Sequence, residues 1–140
     1  MAIQINPYLN FRDNAREAME FYRSVFGGEL NIMTFGDLGG TEDLGERDKT
    51  AHSHLLTDRG QTLMASDTPN DLDYQPGANV ALSLGGEEED ELRGYWDKLA
   101  DGGNIVRPLE KAPWGDIFGQ CVDKYGIMWL VNISSGQQPS

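Results

Sequence analysis

The chain has 140 residues, 39% of them hydrophobic, with 23 acidic against 11 basic side chains and a formal net charge of −12. That length can close one core without disulfides, and no apolar run approaches the roughly 18–20 residues needed to span a bilayer. The acidic balance disfavours nucleic acid and anionic membrane surfaces as partners. Cys121 is the only cysteine, and Met1-Ala2-Ile3-Gln4 lacks a basic start and an apolar stretch, so a cytoplasmic location is the expectation.

In chain order, Ile3, Ile5, Leu9 and Phe11 alternate with Gln4, Asn6, Tyr8 and Asn10, a period of two that predicts a first strand. Over 13–26, Ala15, Ala18, Met19, Tyr22, Val25 and Phe26 recur at helical spacing, and Gly27-Gly28 ends the helix. Strands are expected near 29–36, 50–57 and 61–67, the last two joined by the turn Asp58-Arg59-Gly60. Residues 37–49, rich in Gly, Asp and Glu, read as a long loop, either a lid or a floppy segment. Residues 68–77, with Pro69 and Pro76, read as a linker.

The second half repeats the first. Val80, Leu82 and Leu84 alternate with Asn79, Ala81 and Ser83 in a fifth strand, with Val80 on its helix-facing side. Leu92, Tyr95, Trp96 and Leu99 form a helical stripe over 88–101, stopped by Gly102-Gly103. The acidic run Glu87 to Glu91 opens that helix, where carboxylates favour the positive end of its dipole. Three strands follow near 104–109, 116–122 and 127–133, with Asp123-Lys124-Tyr125-Gly126 as the last turn. The order is β-α-β-β-β, twice. It predicts one domain over 1–140, with module one about 1–67, the linker 68–77 and module two about 78–134. Each helix covers one face of its sheet and leaves a mixed polar face open.

Few residues carry chemistry. His52 and His54, two apart on one strand, share a face and could chelate metal or supply a general base. Trp114, Phe118 and Trp129 with Tyr8 could line an aromatic pocket or fill the core. Cys121, in an apolar strand without a neighbouring His, is expected to be an inert core thiol. No phosphate loop, dinucleotide fingerprint, nucleophile elbow or zinc cysteine set occurs.

The stretches PYLNF (7–11), AMEFYRSVFGGEL (18–30), HSHL (52–55), TLMASD (62–67) and WGDIFGQCVDKYGIMWLVN (114–132) resemble the PhnB-like branch of the glyoxalase/bleomycin-resistance (vicinal oxygen chelate) superfamily. The resemblance implies an α+β fold: two βαβββ modules forming an open, cup-shaped mixed sheet with helices on the outer face. It also implies a homodimer. In metal-dependent members His and Glu ligands stand on cavity-facing strands. The matching positions here fall near Asn6 to Tyr8, at Met64, at Asn79 and at Leu130, with Asp67 of opposite parity to Met64. Asn and Met are poor ligands for zinc or nickel at such sites, and Leu is none.

The sequence is therefore read as a small-molecule-binding protein for a hydrophobic or aromatic compound. Its site residues are expected to be Tyr8, Asn10, His52, Asn79, Ser83 and Trp114, with no metal ligand and no cofactor. The alternative is a metal-dependent enzyme, of lyase or oxidoreductase type, with a divalent transition metal in a non-standard site around His52 and His54. Glyoxalase I and extradiol dioxygenase activities are not expected.

Overall fold

The computed structural model describes residues 3–39, 46–69, 73–74, 76–77 and 79–134. The middle of the predicted 37–49 loop and parts of the 68–77 linker lie outside them. The chain divides into two compact units, Met1–Pro76 and Gly77–Ser140. The fold is α+β with two βαβββ modules, as the repeat predicts.

The first unit runs β1 (Tyr8–Phe11), α1 (Ala15–Phe26), β2 (Glu29–Thr34), β3 (Thr50–Leu56) and β4 (Thr62–Asp67). Its sheet has the order β1-β4-β3-β2, with β1 parallel to β4 and the other pairs antiparallel. All six residues of the predicted α1 stripe are buried. They pack on Phe11, Leu55, Leu63 and Ala65, which point to the same side of the sheet. At roughly 25 cal/mol per Å² of apolar surface, this burial is the main force holding helix to sheet.

Asp67 closes the start of α1 from a distance. Its two carboxylate oxygens accept the Ala15 and Thr50 N–H groups, each at 2.9 Å. Asn14, the residue before the helix, makes no side-chain cap, so Asp67 satisfies one of the donors that a helix start leaves open. Just upstream, Asp13 holds φ 73° and pairs with Lys49 at 2.7 Å.

The second unit runs β5 (Leu82–Gly86), α2 (Glu89–Ala100), β6 (Asn104–Lys111), β7 (Ile117–Val122) and β8 (Met128–Ile133). Its sheet order, β5-β8-β7-β6, repeats the first, and β5 is again parallel to β8. Leu92, Trp96 and Leu99 of α2 are buried, together with Cys121, Trp129, Val131 and Ile133 of the sheet. Tyr95 is half-buried and its hydroxyl donates to Glu91.

The paired glycines have a second role besides ending the helices. A Cβ at Gly28 would overlap the carbonyl oxygen of Leu56, and one at Gly103 would overlap that of Val122. Leu56 and Val122 each lie four residues before the turn glycine of their module, Gly60 or Gly126. Both modules therefore bring the strand after the helix against the same backbone position, where only glycine fits.

Two strand assignments need correction. The first strand begins at Tyr8, and Ile3 and Ile5 are 97% and 99% exposed. The fifth begins at Leu82, so Asn79 and Val80 precede it, and Val80 is 75% exposed instead of buried. The cause is the same in both. Tyr8 pairs with Met64 and Leu82 with Trp129, close to where β4 and β8 begin. Upstream residues have almost nothing opposite them.

Candidate functional site

In the first unit the open face of the sheet carries every second residue. Tyr8, Met64, His54 and Asn31 lie side by side across the four strands in direct register. Asn10 faces Ser66 in the next row, and His52 faces Met33. The Tyr8 hydroxyl and His52 Nδ1 are 3.4 Å apart, with ring centroids at 5.9 Å. Three predicted site residues, Tyr8, Asn10 and His52, thus share one face, and two of them touch.

The phase of β3 is set by a bulge. Met33 pairs with His52 but Thr34 with Thr50, so Ala51 is an extra residue. Thr50 and Ser53 are both buried, although their parities differ. The bulge turns His52 and His54 onto the open face while Ser53 and Leu55 face the helix, as bulges do where a side chain must be re-aimed.

In the second unit the equivalent row reads Ser83, Leu130, Gln120 and Arg107. Met64 and Leu130 each stand four residues after the turn glycine, so Ser83 is the counterpart of Tyr8. The predicted Ser83 lies on this open face and is exposed. Asn79 lies outside β5, and is also exposed. Trp114, in the turn between β6 and β7, is 62% exposed and packs edge-on against Phe118 at 5.6 Å. Asn132 Nδ2 donates to Asp116 at 3.1 Å beside them.

Trp129 does not join an aromatic pocket. It is buried on the helix side, and its Nε1 donates to Asp123 at 2.8 Å. Cys121 is a core thiol, as expected. Burial, and then the charge of Asp123, push its pKa up to about 11. The thiol stays protonated at neutral pH, and thiolate is the reactive form. A chromogenic thiol reagent such as dithionitrobenzoate should leave Cys121 unmodified at pH 8 for hours in the native protein and label it within minutes in guanidinium. Fast native labelling would refute its placement.

A cleft of about 540 Å³ at the start of α1 is lined by charged groups, among them Arg16, Glu17, Lys49 and Asp67. Sequence reasoning did not find it. Much of its charge is engaged structurally: Lys49 pairs with Asp13 and Glu46, which raises its pKa, and Asp67 holds two backbone N–H groups.

The superfamily resemblance implies metal ligands near Asn6 to Tyr8 and at Met64, Asn79 and Leu130. Tyr8 pairs with Met64 on the open face of the first sheet, whereas Asn79 lies before β5 and Ser83 is the residue that pairs with Leu130. Among the described residues no three His, Cys, Asp or Glu side chains stand close enough to hold a metal. A carboxylate–histidine centre does not fit the side chains at these positions.

Two βαβββ modules, each with a helix on one sheet face and a polar face left open, define a protein of the vicinal-oxygen-chelate type. The chain belongs to the family described as 3-demethylubiquinone-9 3-methyltransferase, whose model matches residues 3–132, and is PhnB-like. It shares its fold with a member of the glyoxalase/bleomycin resistance protein/dioxygenase superfamily from Sphaerobacter thermophilus, at 17% identity and a TM-score of 0.61. It is 34% identical to protein PA1353 of Pseudomonas aeruginosa, with a TM-score of 0.84 over 95% of this chain and 98% of that one. The PhnB protein of Bacillus cereus is 27% identical, with a TM-score of 0.72 over 94% of this chain and 100% of its own. Protein YjdN of Escherichia coli K12 is 26% identical over 97% of this chain and 98% of its own.

The family description names a methyl transfer. Both sheets here are small and mixed, and α1 is entered through Asp13-Asn14. That turn has no glycine-rich backbone against which a nucleotide cofactor could lie.

Proposed function

We propose that the protein binds a small hydrophobic or aromatic molecule on the open face of its first module, acting in the cytoplasm as a homodimer. The observation that carries the proposal is the contact between Tyr8 and His52 on a face that also bears Asn10, Asn31, His54 and Ser66. An aromatic ring, thioether side chains and several uncharged hydrogen-bonding groups together match what small-molecule sites require. Trp114 over Phe118 supplies a comparable aromatic surface in the second module.

Thermal unfolding in the presence of planar phenols, quinones and aromatic drugs, bleomycin among them, tests the reading. At least one compound should raise the midpoint in a concentration-dependent way. A complete set without any shift would sink it.

The homodimer rests on the family resemblance and on exposed apolar residues beside edge strands. Ile3 and Ile5 precede β1, and Val80 precedes β5. Isolated apolar residues are ordinary, but several next to unpaired strand edges favour a partner. Light scattering should give twice the chain mass at micromolar concentration. A monomer mass would remove this part of the proposal.

A further inference from the structure

We propose that the first module holds one copper(I) ion between two histidine–methionine pairs that flank β3. The pairs are His52 with Met33 of β2 and His54 with Met64 of β4. Directly opposed residues on one sheet face have Cβ atoms about 4.5–5.5 Å apart. His52 and His54, two residues apart on the central strand, are separated by roughly 6.5 Å along it. Two imidazoles and two thioethers therefore share one patch of the open face, with the methionines on the strands either side of β3 and none of the four on the helix side.

The donor chemistry selects the ion. Thioether sulfur is a soft ligand that favours copper(I), whereas zinc and harder divalent ions prefer thiolate, imidazole and carboxylate. Imidazole and thioether both ligate as neutral donors, so a monovalent ion leaves less uncompensated charge in a half-buried patch than a divalent one would. His52, His54 and Met64 are half-buried and Met33 is 43% exposed, so the site is formed yet open to entry. The chain's net charge of −12 draws cations to it.

Tyr8 acts as a positioning residue. Tyr8 Oη and His52 Nδ1 are 3.4 Å apart; in the tautomer whose Nδ1–H donates to the Tyr8 oxygen, the Nε2 lone pair is left for the metal. Ligating histidines are commonly fixed through the other nitrogen in this way. The bulge at Ala51 places both histidines on the face where the methionines stand. The proposal stands on β2, β3 and β4 alone, and does not depend on an organic ligand binding there.

The test is anaerobic titration of the full chain with copper(I) against the chromophoric chelator bathocuproine, followed by X-ray absorption of the loaded protein. The expected result is one copper per chain with both nitrogen and sulfur neighbours. The double variant Met33→Leu/Met64→Leu keeps side-chain volume. It should bind copper at least ten-fold more weakly and lose the sulfur neighbours, with its circular dichroism unchanged. Should that variant not fold, the single variant His54→Gln should give the same ten-fold loss. Tyr8→Phe should weaken binding by a smaller factor than either methionine substitution, with circular dichroism unchanged. Cys121→Ser should change nothing. The proposal is overturned by a wild-type chain that yields all its copper to the chelator. Copper binding unaffected by the methionine substitutions, or abolished by Cys121→Ser, would overturn it equally.

Discussion

Asp123→Ala should lower the unfolding free energy by about 3–5 kcal/mol, the range of a broken buried hydrogen-bond network. Asp123 is buried to 3% exposure. Its Oδ1 accepts the N–H groups of Tyr125 and Ile127 at 2.8 and 3.1 Å, and its Oδ2 accepts Trp129 Nε1 at 2.8 Å. One carboxylate thus shapes the β7–β8 turn and satisfies the indole of a core tryptophan. Alanine leaves that indole N–H unpaired within the core, where desolvation is not repaid. Guanidinium unfolding monitored by tryptophan fluorescence measures the loss. Asp123→Asn, which keeps one acceptor oxygen, should cost less. A loss below 1 kcal/mol for the alanine variant would mean that the turn does not depend on this network.

Asp67→Ala should cost about 2–4 kcal/mol, the second largest effect expected. The carboxylate is buried to 4% exposure and joins three elements: it ends β4, accepts from the first residue of α1, and accepts from the first residue of β3. Its removal leaves two buried backbone N–H groups unsatisfied. The change should also speed hydrogen exchange at Ala15 and Thr50 before it affects the second unit. Urea unfolding gives the free energy, and exchange measured residue by residue gives the location. Uniform acceleration across both units would contradict this local account.

The helices were legible in the sequence because their signal is local. The stripe from Ala15 to Phe26 reports a period of 3.6, and all six of its members are buried. Strand ends were less legible. Ile3, Ile5 and Val80 keep the alternation of a strand, but alternation says nothing about where the partner strand starts. The face of His52 and His54 could not be fixed either, because the bulge at Ala51 inverts parity between Thr50 and Ser53. Once the register is known, the open-face row of Tyr8, Met64, His54 and Asn31 follows at once.

Buried acids were the other blind spot. Asp67 and Asp123 occupy core-facing positions in or beside strands, where a carboxylate looks misplaced until its backbone and indole donors are seen. Trp129, which the sequence leaves open between a pocket wall and the core, belongs to the core for a related reason. Its polar end has a buried partner, so it needs no solvent-facing site.

Calorimetric titration of the most strongly stabilising aromatic compound into the wild-type chain and into the double variant Tyr8→Ala/His52→Ala tests the central claim most directly. Both side chains stand on the open face and outside the helix-facing core, so the variant should unfold within a few degrees of the wild type. The account predicts that it binds the compound at least ten-fold more weakly, a loss of about 1.4 kcal/mol or more. Equal affinity in a folded variant would place the ligand elsewhere and contradict the account.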